Sequence, residues 1–92
     1  MVYEWDEGKR AVNLEKHGLD FARADLVFES GLKLTVVSEK VGEEPRFVDY
    51  AEFEGVLVAL VYTFRNDAVR IISLRSAKRK ERRAYDAALK NR

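Results

Sequence analysis

The stretch VLVALVYTF, residues 56–64, constrains the fold most because it is apolar on both of its alternating faces. A strand of this kind has to be covered on two sides, so it lies inside a sheet and not at an edge. Turn-forming pairs flank it at 54–55 (EG) and 66–67 (ND), and such pairs join antiparallel neighbours in hairpins. RFVDYAEF (46–53) and AVRIISLR (68–75) are those neighbours. The sequence therefore predicts a central strand that pairs on both sides.

Helices are predicted before and after this strand region along the chain. Asp6 is suited to cap a helix over 7–17, since an aspartate accepts hydrogen bonds from the free N–H groups of a first turn. Gly18 is suited to end that helix in a left-handed conformation. A second helix is predicted over 20–29, where apolar residues recur at helical spacing, and another over 77–91.

Two further segments complete the plan. VYEW, residues 2–5, alternates and is short enough for an edge strand, and LKLTVV (32–37) is rich in residues that favour strands. The predicted fold class is α+β, with two N-terminal helices, an antiparallel β-sheet meander that has its helices on one side, and a C-terminal helix.

Composition sets broad limits on the function. A length of 92 residues suits one domain, so 1–92 is expected to form a single unit. Without cysteine the chain has neither a disulfide nor a thiolate metal site, and we expect no metal and no cofactor. No apolar run approaches the ~20 residues that a membrane helix needs, and the N-terminus has no apolar signal core. We therefore expect a cytoplasmic protein without a membrane partner.

Charge is distributed unevenly along the chain. Residues 70–92 carry nine Lys or Arg and two acids, whereas residues 1–69 carry eight Lys or Arg and fourteen acids. Such asymmetry indicates either a well-solvated basic helix or a surface that meets an anionic partner. Glu81 lies on the inner stripe of the last predicted helix with Ala77 and Tyr85, where a carboxylate needs a partner. Arginines of the sheet are the candidates for that partner.

Two blocks of the sequence resemble the BrnT family of toxins. EWDEGKRAVNLEKHGLDFARADLVF is similar to the opening signature W-D-x-x-K-x-x-x-N-x-x-K-H-G-x-x-F-x-x-A-x-x-V-F. RIISLRSAKRKERRAY is similar to the closing signature R-I-I-S-x-R-x-A-x-x-x-E-R-x-x-Y. Between them Glu44-Pro45-Arg46 fits the E-x-R segment of the family, although Tyr50-Ala51 stands where an Ile-Gly or Leu-Gly pair is expected. Two blocks in the right order are a more specific signal than one short motif.

The resemblance implies a fold, an activity and a partner. The implied fold is RelE-like, with the helices and sheet in the order predicted above. The implied activity is that of an endoribonuclease toxin of a type II toxin-antitoxin system, which cleaves RNA without a metal and inhibits translation. The implied partner is a BrnA-type ribbon-helix-helix antitoxin, through which the complex binds operator DNA.

RNA cleavage without a metal requires proton transfer and stabilisation of charge on the phosphate. His17 is the single histidine and therefore the leading proton carrier, although it is equally suited to stabilise the end of its helix. The catalytic candidates are His17, Lys16, Arg70, Arg75 and Tyr85. The RNA-binding candidates are Arg46, Ser73, Lys78, Arg79, Arg82 and Arg83. No metal ligand is predicted.

Strand parity complicates this set. Arg70 and Arg75 are five residues apart, so strict alternation places them on opposite faces of the sheet. Either a bulge brings them to one face, or one of them pairs with Glu81 while the other binds RNA. An alternative function is a non-catalytic binding subunit that acts with an antitoxin on operator DNA. In either case, we expect the acids Asp49, Glu52 and Glu54 to face a basic segment of the antitoxin.

Overall fold

The computed structural model describes residues 1–89, and within them helices cover both faces of a five-stranded sheet. In chain order the elements are β1 (Val2–Glu4), α1 (Glu7–His17), a 3₁₀ helix (Phe21–Arg23), α2 (Ala24–Phe28), β2 (Leu34–Ser38), β3 (Arg46–Phe53), β4 (Val56–Arg65), β5 (Ala68–Ser76) and α3 (Arg79–Leu89). The strand order across the sheet is β1-β5-β4-β3-β2. The prediction that 56–64 forms a central strand is confirmed.

The predicted arrangement was wrong in two respects, although the α+β class is correct. The chain begins with a strand, and β1 pairs parallel to β5 through Val2 with Ala68 and Glu4 with Arg70, so the sheet is mixed and not an antiparallel meander. Strands β2 to β5 do form such a meander. A three-residue strand shows in its sequence which face each side chain takes but not which neighbour it joins, and this is why the pairing was missed.

The second N-terminal helix is also shorter than predicted. Asp20 caps it by accepting a hydrogen bond from the Ala22 N–H at 3.0 Å, but the chain first makes a 3₁₀ turn and only then five α-helical residues. Phe21, Ala24 and Val27 are fully buried against the sheet at a spacing of three, which suits a tight turn. By contrast α1 has the predicted bounds, with Asp6 as N-cap and Gly18 left-handed at φ 70°.

The helices lie on both faces of the sheet, not on one side as predicted. Phe21, Ala24 and Val27 pack against one face with residues such as Leu60 and Tyr62. Tyr85 of α3 packs against the opposite face with Tyr50, Leu57 and Ala59. We call this second surface the α3 face. The buried cluster on the α3 face lies at the end of the sheet against which α3 packs.

Helix α3 begins two residues later than predicted, and the expected end at Asn91 lies outside the described residues. Glu81 is placed in its first turn, where the helix dipole favours an acid. No helix within residues 1–89 is long and apolar enough to cross a membrane.

Candidate active site

Helix α1 is fastened to the sheet by the amide of Asn13. Its Nδ2 donates to the carbonyl oxygens of Leu74 at 2.8 Å and Leu19 at 2.9 Å, and its Oδ1 accepts from the Leu74 N–H at 3.2 Å. Strand β1 ends opposite Arg70, so the amide takes the place of a neighbouring strand along the exposed edge of β5. Asn13 is therefore structural, and Lys9, Lys16 and His17 of the same helix line a cleft beside the sheet.

A bulge in β5 decides which face of the sheet Arg70 and Arg75 occupy. Ile71 pairs with Tyr62 and Ser73 pairs with Val61, so Ile72 is an extra residue on that strand. Beyond it Arg75 pairs with Ala59, which lies on the α3 face. Arg70 pairs with Thr63, whose odd parity along β4 puts it on the same face. The bulge therefore gives Arg70, Ser73 and Arg75 a common face.

Two adjoining clefts lie where α1 meets this face. The first, the helix cleft, has a volume of about 550 Å³ and is lined by Asp6, Gly8, Lys9, Val12, Asn13, Lys16, His17, Ile72 and Ser73. The second, the arginine cleft, has a volume of about 340 Å³ and is lined by Lys9, Glu43, Glu44, Arg46, Thr63, Arg65, Arg70 and Ile72. Lys9 and Ile72 belong to both linings, so the clefts adjoin each other. Their volumes fall in the range of small-molecule sites.

The clefts bring together five of the eleven predicted site residues. His17, Lys16 and Ser73 line the helix cleft, and Arg46 and Arg70 line the arginine cleft. Arg75 and Tyr85 line neither cleft. The four α3 cations of the predicted set are exposed on the helix and its start: Lys78, Arg79, Arg82 and Arg83.

Four polar residues that line only the arginine cleft were not predicted as site residues: Glu43, Glu44, Thr63 and Arg65. Parity along β4 was a usable signal for two of them, because Thr63 and Arg65 share the face of the buried residues Leu57 and Ala59. Glu44 lies in the loop between β2 and β3, where no periodicity applies. It is brought to the cleft because the Thr63 hydroxyl donates to the Pro45 carbonyl at 2.8 Å.

The arginines of the described residues differ in how far their donors are used. Arg10, Arg23 and Arg75 each donate a hydrogen bond of 2.7–2.8 Å to a carboxylate. In the arginine cleft, Arg65 is 3.6 Å from Glu44 and Arg70 is 3.7 Å from Glu4, both too far for a hydrogen bond. Arg46 has no ion pair or hydrogen bond to another side chain among residues 1–89. The cleft guanidinium groups therefore have donors free for a ligand.

Arg75 is the partner of Glu81. Its Nη1 and Nη2 donate to the two carboxylate oxygens at 2.8 and 2.9 Å, and the Tyr50 hydroxyl and the Lys78 N–H donate to the same carboxylate at 2.8 and 2.7 Å. The hydrogen bonds from Arg75 lower the pKa of Glu81 to about 2, against the opposing effect of burial. Burial and the Glu81 hydrogen bond raise the pKa of Tyr50. This bidentate pair ties α3 to β5 and leaves Arg75 outside the clefts.

Two side chains with predicted roles are buried in the interior. Tyr85 is 1% exposed and packs with Tyr50, Leu57 and Ala59. Asp49 is 0% exposed, so the prediction that it faces an antitoxin was wrong. That prediction rested on charge alone, whereas the carboxylate is satisfied internally by the donors Lys33 at 2.9 Å, Thr35 at 2.7 Å and Tyr62 at 3.0 Å.

The other two acids of that predicted surface are exposed. Glu54 accepts from Arg23 at 2.8 Å, and Glu52 is 3.7 Å from Arg82 of α3. Within residues 1–89, no three His, Asp or Glu side chains are grouped as ligands for a metal ion.

Comparison with known proteins identifies a family. The sequence model of the family described as "Ribonuclease toxin, BrnT, of type II toxin-antitoxin system" matches residues 5–81, which is most of the chain. The match begins at the tryptophan before α1 and ends at Glu81, so it includes all the lining residues of both clefts. A search of curated proteins returned no match.

Proposed function

The chain belongs to the BrnT family of ribonuclease toxins of type II toxin-antitoxin systems, and from this premise we propose that it cleaves RNA without a metal ion in its two adjoining clefts. The observation that carries the proposal is the composition of the lining. One proton carrier, His17, is in the helix cleft, and three arginines with unused donors are in the arginine cleft that adjoins it. Residues 1–92 are proposed to act as one toxin domain.

The proposed reaction uses the 2′-hydroxyl of the RNA as the nucleophile. Its oxygen forms a bond to the adjacent phosphorus as the bond to the 5′-oxygen of the next nucleotide breaks, which leaves a 2′,3′-cyclic phosphate and a 5′-hydroxyl. The hydroxyl proton is removed and the departing oxygen is protonated. Histidine is the side chain that ordinarily exchanges protons near neutral pH, so His17 is assigned to one of these transfers, with Lys16 beside it as the second candidate.

The arginines are assigned to the phosphate. Arg70 and Arg46 come from different strands and line the same cleft, so their guanidinium groups approach a phosphate from two directions. Arginine binds phosphate oxygens through paired hydrogen bonds, and fixed cations stabilise the extra negative charge of the transition state. Ser73, at the bulge, supplies a hydroxyl donor in the helix cleft. Arg75 is assigned a positioning role, since both of its η nitrogens are bound to Glu81.

The cations of α3 are assigned to attraction and not to chemistry. Lys78, Arg79, Arg82 and Arg83 are exposed outside the clefts, where they suit a sequence-independent contact with the RNA backbone. Tyr85 is a poorer catalytic candidate than the others because its burial keeps it away from either cleft.

A type II toxin has an antitoxin partner, and we propose that this partner is a BrnA-type ribbon-helix-helix protein. The alternative function is a non-catalytic subunit that acts with such an antitoxin on operator DNA. The observation that favours this alternative is the set of exposed cations on α3, since they suit the phosphates of DNA as well as those of RNA. It differs from the leading proposal in requiring no contribution from His17.

The test is induced expression of the chain alone and together with its antitoxin, followed by cleavage assays of purified protein with and without EDTA. We expect growth arrest, RNA cleavage that persists in EDTA, and relief by the antitoxin. His17→Ala is expected to lower the cleavage rate about 10²- to 10⁴-fold and Arg70→Ala about 10²- to 10³-fold.

Arg79→Ala is the matched control for Arg70→Ala, because it removes the same charge from an exposed site outside the clefts. It is expected to change binding modestly and to keep most of the cleavage rate. Circular dichroism checks that each variant folds. Harmless expression of a folded wild-type protein, or equal loss of cleavage in the Arg70 and Arg79 variants, would contradict the proposal.

A further inference from the structure

The arginine cleft contains its own anions. Glu43 and Glu44 are the two acids in its lining, and they come from the loop between β2 and β3. The loop is held at its end, because the Thr63 hydroxyl in the cleft donates to the Pro45 carbonyl. That anchor directly follows Glu44, so it fixes the carboxylate over the end of β4, where Arg65 lies.

The contact between Glu44 and Arg65 is an ion pair without a hydrogen bond. The closest nitrogen and oxygen are 3.6 Å apart, and the two side chains are 49% and 61% exposed. An exposed pair at this distance contributes little stability, so a stronger ligand displaces it at small cost. The pair of Arg75 and Glu81 is different, because both side chains are mostly buried and the contact is bidentate.

The similarity between a carboxylate and a phosphodiester indicates which ligand could replace Glu44 on Arg65. A carboxylate presents two oxygens to a guanidinium group in the same planar arrangement as two oxygens of a phosphodiester. Arg46 and Arg70 line the same cleft with unused donors, so a phosphate that takes the place of Glu44 on Arg65 gains further cationic neighbours. Glu44 is anchored through the neighbouring Pro45, and within residues 1–89 no ion pair or hydrogen bond joins it to Arg46 or Arg70.

We propose that Arg65 is a binding residue for a phosphodiester of the RNA substrate, and that Glu44 is a displaceable counter-ion that occupies this position until RNA enters. The inference rests on the proposed function for the identity of its ligand. It adds Arg65 as a substrate-binding residue and the Glu44 contact as a regulatory one. The positive charge of the empty cleft is partly neutralised by Glu44. Weak anions therefore compete poorly, and a polyanion with several phosphates is favoured.

The test measures binding of a 2′-O-methyl RNA decamer by fluorescence anisotropy at low salt. This probe has no free 2′-hydroxyl, so binding is separated from cleavage. Glu44→Gln is expected to bind about fivefold more tightly, the equivalent of the roughly 1 kcal/mol that an exposed ion pair contributes. Arg65→Ala is expected to bind several-fold more weakly, with a salt dependence reduced by about 0.7 in the log–log slope.

Glu39→Gln is the matched control, since it removes the same charge from the same loop at an exposed position outside the cleft lining. It is expected to change binding less than twofold. The Glu44→Gln, Arg65→Ala double variant is expected to bind like Arg65→Ala alone, because the counter-ion has no partner left to release.

Three outcomes would overturn the inference. Equal effects of Glu44→Gln and Glu39→Gln would show general charge repulsion. A gain that persists in the Arg65→Ala background would show that another cation is the partner of Glu44. Unchanged binding with lost cleavage in Glu44→Gln would assign the carboxylate to proton transfer. Failure of the wild type to cleave RNA would contradict the proposed function only, because the binding comparison does not depend on cleavage.

Discussion

Replacement of Asn13 by alanine tests whether this position of α1 is structural. The amide binds both backbone groups of Leu74 and the carbonyl of Leu19, and Leu74 is fully buried. Alanine removes all three hydrogen bonds and offers no replacement. Since β1 ends before Leu74, no other strand within residues 1–89 pairs with this edge of β5.

The expected cost follows from the groups left without partners. An unsatisfied buried donor or acceptor costs about 1–3 kcal/mol, and Leu74 would have one of each. The Leu19 carbonyl is nearer to solvent and adds less. We therefore expect Asn13→Ala to lower the free energy of unfolding by about 3–5 kcal/mol. That is a large part of the roughly 5–14 kcal/mol typical of a chain of 92 residues.

The assay is urea unfolding monitored by the fluorescence of Trp5, the single tryptophan of the chain. A His17→Ala background is chosen because, under the proposed function, it removes nuclease activity during expression. Glu15→Ala is the control, because that side chain is exposed on the same helix, and a change within about 0.5 kcal/mol is expected. Asn13→Asp is a second variant, since its carboxylate would face two carbonyl oxygens and is expected to destabilise at least as much as alanine.

A loss below about 1 kcal/mol for Asn13→Ala, with an unchanged denaturant slope, would refute this reasoning. It would mean that water or a shift of α1 satisfies Leu74 as well as the amide does. In that case the position of Lys9, Lys16 and His17 beside the sheet would not depend on Asn13.

Three other predictions concern the stability of the fold. Lys33→Met leaves the buried Asp49 carboxylate without its cation and is expected to cost about 3–5 kcal/mol in thermal or urea unfolding; the exposed pair tested by Glu54→Gln is expected to cost less than about 1 kcal/mol. The pKa of Glu81 is lowered to about 2 in the folded state, so its stabilising effect is complete above pH 4.5 and is lost as the pH falls toward 2. Thermal melts across this window should show a shallower pH dependence for Glu81→Gln. Gly18→Ala forces a left-handed backbone on alanine and is expected to cost about 1 kcal/mol.

Each of these has a clear contrary result. Equal losses for Lys33→Met and Glu54→Gln would show that burial of the first pair adds nothing. A Glu81→Gln variant with the same acid sensitivity as the parent would place that sensitivity in other carboxylates. A Gly18→Ala variant as stable as the parent would show that α1 ends in another way without cost.

Local signals in the sequence were sufficient wherever a neighbour along the chain decides the structure. The caps Asp6 and Gly18 define α1, because a cap acts on the N–H or C=O groups of its own turn. The turn pairs at 54–55 and 66–67 and the apolar stretch between them predicted the hairpins and the central strand. The need for a partner of Glu81 was also predictable, since a carboxylate on an inner stripe cannot remain alone.

Only the tertiary structure decided how distant segments meet. The bulge at Ile72 turns Arg75 to the face of Arg70, and the hydrogen-bonded pair with Glu81 then takes Arg75 out of the clefts. The parallel pairing of β1, the burial of Asp49 and the presence of Arg65 in the arginine cleft likewise depend on contacts between remote residues. The sequence by itself determined α1, the central strand with its two hairpins, and the resemblance to the family, because each is read from local spacing. The division between structural and free arginines required the fold, because a guanidinium group is committed only by the carboxylate that packing brings to it.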